Sequence, residues 1–254
     1  MNADARIANL PYTAIQEALA SGEPVVAILP CGATEAHGPH LPLATDVIIS
    51  EGIAAFALPK LEDKNIRTFV LPPLAYAPAE YAAEFKGTIS ISVGAARAVL
   101  LDIARSLKAQ GFAVLALANS HFDPANVTML REASETIAKD VGLKVAFADF
   151  TRRKLAEKLT DEFKSGACHA GQFETSLVIA ARPELVDEAA RAQAKDNPAS
   201  LTEAFAKGAK TFKQAGGPQA YFGYPAKATG EEGVETYEKM SDALVEEILA
   251  KLKS

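Results

Sequence analysis

Short apolar runs alternate along this chain with stretches whose apolar residues recur at helical spacing. Val25 to Leu29 (VVAIL) reads as a buried strand closed by Pro30, and Arg67 to Leu71 (RTFVL) as a second, stopped by Pro72 and Pro73. Phe112 to Ala118 (FAVLALA) and Leu143 to Ala148 (LKVAFA) make a third and a fourth. Between and around them the spacing predicts helices over 11–21, opened by Pro11 and ended by Gly22, and over Asp46 to Phe56, ended by Pro59. Further helices are predicted over Ala95 to Gln110 with Gly111 just past its end, and over Val127 to Val141 with Pro124 near its start. Thr151 to Lys164 reads as a charged, exposed helix, AGQFETSLVIAARP as a helix ending before Pro183, and Glu231 to Leu252 as a solvated helix. Two segments keep no period: LAYAPAEYAAEFKGTISIS, read as a functional loop, and residues 184–230, with the turn signals GGP and GYP.

Strands alternating with helices predict an α/β fold with a mostly parallel central sheet covered on both faces, and residues 1–254 read as one domain. In such sheets ligands bind beyond the carboxyl ends of the strands. The loops following 25–29 and 112–118 are therefore expected to meet in one crevice.

Composition narrows the function classes. The net charge of −6, with no cluster of Lys and Arg, excludes a nucleic-acid surface. Two cysteines, Cys31 and Cys168, make no disulfide framework. The N-terminus lacks a signal-peptide pattern, and no apolar stretch approaches the ~20 residues of a membrane helix. A reduced, cytoplasmic, soluble protein with no membrane or nucleic-acid partner is expected.

The chemistry is concentrated in a few residues. Of the four histidines, His37 and His40 lie in CGATEAHGPHLPLATD with Glu35 and Asp46, while His121 and His169 stand beside further reactive side chains. Glu35 and His37 are two apart, so in extended chain both point to the same side. Asp46 can return to that crevice at the start of its helix, where it could also serve as an N-cap. His121 and Asp123 repeat the two-residue spacing after the third strand. Two imidazoles and three carboxylates suit zinc or manganese, and with Asp46 bridging they could hold two ions. His169 suits proton transfer to a leaving nitrogen at neutral pH. Cys168 beside it reads as a structural or incidental thiol rather than a nucleophile. Glu174 reads as a carboxylate orienting the site or as a first-turn helix residue.

LPCGATEAHGPHLPLATD, NSHFDPAN and HAGQFETS, with weaker support from EFKGTISIS and GYPAKATGEEG, resemble the creatininase (creatinine amidohydrolase) family over residues 25 to 233. The resemblance implies an α/β/α sandwich assembled as a homo-oligomer, often a hexamer. It also implies one ion on Glu35, Asp46 and His121 and a second on His37, Asp46 and Asp123. His169 would be the acid/base histidine, Glu174 the acid of the E-T-S signature, and His40 a supporting residue in the H-L-P turn. The chain departs from creatininase in having Asp123 where that enzyme has Glu, Cys168 before the acid/base histidine, and no tryptophan.

The expected activity is hydrolysis of an amide, lactam or formamide C–N bond of a small molecule other than creatinine, cyclic amides foremost, by metal-activated water with one or two zinc or manganese ions per chain. Tyr81, Lys86, Phe122 and Cys168 are the expected substrate contacts. Two alternatives remain open: C–C cleavage in a cyclic keto-sugar or keto-polyol, and a non-catalytic metal- or ligand-binding protein.

Overall fold

The computed structural model describes residues 5–253. Its sheet has four parallel strands, β1 (Val25–Cys31), β2 (Arg67–Val70), β3 (Val114–Asn119) and β4 (Lys144–Phe147), in the order β2-β1-β3-β4. Alternation along each strand sends side chains to opposite faces. Val26, Ile28, Val114 and Ala116 meet α2 (Thr45–Glu62), α7 (Gln172–Ala181) and α10 (Gly230–Lys253). Val25, Ala27, Leu29, Leu115 and Leu117 meet α1 (Tyr12–Ala20), α3 (Val93–Gln110) and α4 (Pro124–Thr136) on the other side. The expected three-layer α/β/α sandwich is thus present, with a separate hydrophobic core on each face of the sheet.

Several boundaries differ from the sequence reading, for local reasons. Pro30 does not close β1, which runs on to Cys31. The carbonyls of Ile28 and Pro30 both accept from the β2 side, from Leu71 and Leu74, so the missing N–H of Pro30 faces the point where β2 has already ended. Pro59 does not end α2, which continues to Glu62. The predicted helix from 127 starts at Pro124, because Asp123 accepts from the N–H of Ala125 as N-cap and proline is tolerated at the first helical position. It then ends at Thr136 in a π turn over Ile137–Val141. The stretch expected as one helix over 151–164 is two short ones, α5 (Arg153–Ala156) and α6 (Asp161–Ser165). Thr160 caps α6, and the break between them buries Leu159 and Phe163 in the core.

Residues 184–230 carry α8 (Glu188–Gln193) and α9 (Leu201–Ala206) and otherwise turn over the carboxyl ends of the strands. Backbone bonds tie this segment down: Leu201 donates to Gly166, Phe212 to Tyr81 and Phe222 to His169. No helix among the described residues is long and apolar enough to cross a membrane.

Candidate metal centre and its cavity

Two loops and the start of a helix deliver the chemistry to one place at the carboxyl edge of β1 and β3. Glu35 and His37 follow β1. Asp46 lies in the first turn of α2, and His121 follows β3. Gly32 allows the approach of α2: a Cβ there would stand 2.6 Å from the Val47 nitrogen, so only glycine lets the helix start rest against the strand end. From β3, the hydroxyl of Ser120 donates to the Asp46 carbonyl at 2.5 Å. Asp46 is not the N-cap; Ala44 holds that position without a side-chain bond, and the buried Asp46 carboxylate is turned toward the histidines.

Three imidazoles are anchored in the same way. His37 Nδ1 bonds to the Glu35 carbonyl at 3.1 Å, His121 Nε2 to the Pro78 carbonyl at 2.7 Å, and His169 Nε2 to the Ala36 carbonyl at 2.9 Å. A carbonyl oxygen only accepts, so each outer nitrogen carries a proton and the inner nitrogen is the one left to gain a proton or hold a cation. Those inner nitrogens face carboxylates. His37 Nε2 lies 3.3 Å from Asp46, 3.5 Å from Glu174 and 3.8 Å from Glu35. His121 Nδ1 lies 2.9 Å from Asp46 and 3.2 Å from Glu35, and His169 Nδ1 3.9 Å from Glu35. The groupings Glu35–Asp46–His121, His37–Asp46–Glu174 and Glu35–His37–His169 each present ligand atoms within 4.8 Å of one another.

The irregular loop before α3 supplies the Pro78 carbonyl that orients His121. Asn119 and Asn126 fix the same residue by donating to its carbonyl at 3.0 and 2.9 Å. His169 is followed by Ala170 at φ 50°, a left-handed conformation that costs a non-glycine residue on the order of 1 kcal/mol. That kink aims the Ala170 N–H at Glu174, 2.6 Å away, while the His169 ring packs between His37 and Phe212 at 4.3 and 4.2 Å.

The electrostatics are those of a buried site short of positive charge. Burial lowers the pKa of His37, but Asp46, Glu174 and Glu35 overcome it and raise it to about 10. His121 is likewise raised well above its ordinary value, by Glu35 and Asp46 against burial. Asp46 is held below the usual carboxylate range, because His37 and His121 outweigh its burial. Burial, with the neighbouring carboxylates, pushes Glu174 up to about 8. His169 moves the other way, to about 4, through burial and the charge on His37. Protons thus occupy positions a cation would take. Among the described residues, His37 Nε2 and Asp46 Oδ2 are buried with no aligned hydrogen-bond partner. An ion set between these atoms would satisfy them, so the donor set fits a divalent metal.

The centre floors a cavity of about 490 Å³. Asp123 lines this cavity but joins none of the three ligand groupings, since one of its oxygens caps α4 at 2.7 Å from the Ala125 nitrogen. Tyr81, Phe122 and Cys168 also line it; burial raises the Cys168 thiol, which disfavours the reactive thiolate. Lys86 is exposed and outside the lining. His40 lies behind the centre, bonded through Nε2 to Thr175 at 3.0 Å, and burial lowers its pKa to about 4. The sequence reading missed the outer wall: Arg131 on α4, Phe163 on α6, and Phe205 and Phe212 from the 184–230 segment. Helical spacing along α4 from the histidine loop could have found Arg131; no local signal marks the phenylalanines.

The family model for creatininase, described as creatinine amidohydrolase, matches residues 8–248. A mycofactocin precursor peptide peptidase from Mycobacterium ulcerans is 29% identical over 228 residues, 87% of this chain and 83% of that protein. A structure titled "Creatininase Mn" superposes with a TM-score of 0.78 at 22% identity, covering 98% of this chain and 99% of that one. A mutant creatininase of Zn-Zn type gives a TM-score of 0.77 at 22% identity, over 98% and 99% of the two chains.

Proposed function

The chain belongs to the creatininase family, and on that premise we propose that it is a metal-dependent hydrolase cleaving an amide-type C–N bond in a substrate other than creatinine. The observation that carries this reading is the pair of triads sharing Asp46, with His169 and Glu174 beside them on the floor of one cavity. Glu35, Asp46 and His121 would hold one zinc or manganese ion. His37 and Asp46 would hold a second, with Glu174 within reach and Asp123 on the cavity side as the further carboxylates. When bound, such ions polarise a carbonyl oxygen and lower the pKa of water toward about 7.

The protein's own residues do the rest. Tyr81 and Phe122 flank the substrate, and the phenylalanine wall excludes bulk water from around the scissile carbonyl. His169 is neutral at pH 7, so Nδ1 can take the proton of the attacking water and pass it to the leaving nitrogen. Glu174, whose carboxylate accepts from the Ala170 N–H, is held beside His169 and can take up the proton in turn.

The cavity's volume and its phenylalanine wall favour an open-chain amide over a small lactam. The test begins with metal content per chain by elemental analysis, followed by an amide and lactam screen. One or two ions of zinc or manganese, and turnover abolished by chelation, are expected. A metal-loaded protein that turns over no amide would leave the non-catalytic alternative.

A further inference from the structure

The metal centre occupies only one end of the cavity, and the other end is built differently. Along α4 the positions lining the cavity are Pro124, Val127, Thr128 and Arg131, the i, i+3, i+4, i+7 stripe of one helix face. The stripe starts beside the histidine loop. With a rise of 1.5 Å per residue, the Arg131 backbone lies roughly 10 Å further along the axis. The cavity therefore runs from a carboxylate-rich floor to a guanidinium, between walls that include Phe122, Phe163, Phe205 and Phe212.

Arg131 is held in place by an ion pair that leaves one of its nitrogens open. Its Nε donates to Asp149 at 2.7 Å, its Nη2 lies 2.7 Å from the same carboxylate oxygen and donates to Thr151 at 2.6 Å, and Nη1 alone has no hydrogen-bond partner among the described residues. Asp149 is shared, for Arg152 also donates to it at 3.2 Å, so one carboxylate faces two guanidiniums. Lys164, which also lines the cavity, is paired with Asp161. Arg131 and Arg152 share the single carboxylate of Asp149, which leaves about one positive charge in excess, and Nη1 of Arg131 remains as a charged donor that suits a carboxylate.

We propose that Arg131 is a specificity-determining residue and that the substrate is an apolar amide ending in a carboxylate, bound with its scissile carbonyl at the metal centre and its anionic end on Arg131. The rise along α4 from Pro124 beside the histidine loop to Arg131, roughly 10 Å, is the span of about three extended residues at about 3.3 Å each. N-acyl amino acids and the carboxyl-terminal ends of short peptides share this chemistry. The inference deepens the hydrolase reading and rests on it for the identity of the scissile bond, but not for binding.

The experiment uses matched pairs with the metal-loaded protein: benzoyl-glycyl-phenylalanine against its carboxamide, and hippurate against hippuramide. Binding is read by calorimetry and turnover by amine release. The acid of the longer pair is expected to bind at least tenfold more tightly than its amide, with the advantage shrinking at high salt. In Arg131→Gln the preference should fall to within twofold while carboxamide binding is unchanged, and Arg131→Lys should keep part of it. A preference in the longer pair alone assigns peptide ends, and one in both pairs admits acyl amino acids. Equal binding of acid and amide by the wild-type protein, binding of neither, or a preference surviving in Arg131→Gln would overturn the proposal. The wild-type comparison holds even if the variant folds poorly. Tight binding of the acid without hydrolysis supports the carboxylate site and sinks the amide-hydrolase reading; hydrolysis of acid and amide alike does the reverse.

Discussion

Loading the metal-free protein with zinc at pH 7 should release protons, and the site predicts how many. His37, with its pKa near 10, is protonated at pH 7 and must lose one proton before Nε2 can ligate. His121, raised well above its ordinary value, must lose another. Glu174, near 8, is mostly protonated and gives up most of a third when an ion settles beside it. Two ions therefore displace about two to three protons per chain, and a single ion on Glu35, Asp46 and His121 displaces about one. The assay is calorimetry in phosphate, HEPES and Tris at one pH, where the slope of heat against buffer ionisation enthalpy counts the protons. The same displacement sets a sign for stability. The folded-state pKa of His37 lies above its unfolded value, so its contribution is complete below about pH 6.5 and is lost as the pH climbs toward 10. Glu174 acts in the same direction between its ordinary range and about 8, and each tenfold displacement is worth about 1.4 kcal/mol. Metal-free protein should thus lose stability from pH 6.5 to 10, whereas metal-loaded protein should not. A slope of zero, with zinc bound, would refute the account of the site as a cation centre filled by protons.

The remaining predictions separate roles within the site. Asp46→Ala should remove both ions and all turnover, whereas Asp123→Asn, which preserves the cap on α4, should remove no more than one ion by elemental analysis. His169→Asn should lower kcat by about 10²–10⁴-fold with metal content unchanged; loss of metal instead would make it a ligand. Cys168→Ser should retain activity within about twofold and alkylating agents should not inactivate the enzyme, because burial raises the thiol. Gly233→Ala should lower the urea midpoint by an amount equivalent to about 1–3 kcal/mol, since its Cβ would overlap the Ser176 carbonyl where α10 crosses α7. An unchanged midpoint would mean the two helices can separate freely.

Much of this was written in the chain itself. Short continuous apolar runs and helical spacing determine the alternation of strands and helices, because a strand buried on both faces and a helix buried on one each leave a local pattern. Glu35, His37 and His121 were legible for a related reason: they sit within a few residues of strand ends, where an α/β sheet presents its loops, and Asp46 opens the helix that follows the first of those loops. What depends on distant contacts was not legible. Whether Pro30 ends β1 depends on where the neighbouring strand stops. The grouping of Glu174 with His37 and Asp46, at 3.5 Å from the His37 nitrogen, needs α7 to pack beside α2. The far end of the cavity is the clearest case. Arg131 is one polar residue on an amphipathic helix, and Phe205 and Phe212 are two apolar residues in an aperiodic stretch. Only the fold-back of 184–230 over the strand ends makes them opposite walls of one cavity, since that closure is decided by long-range packing rather than by any local period.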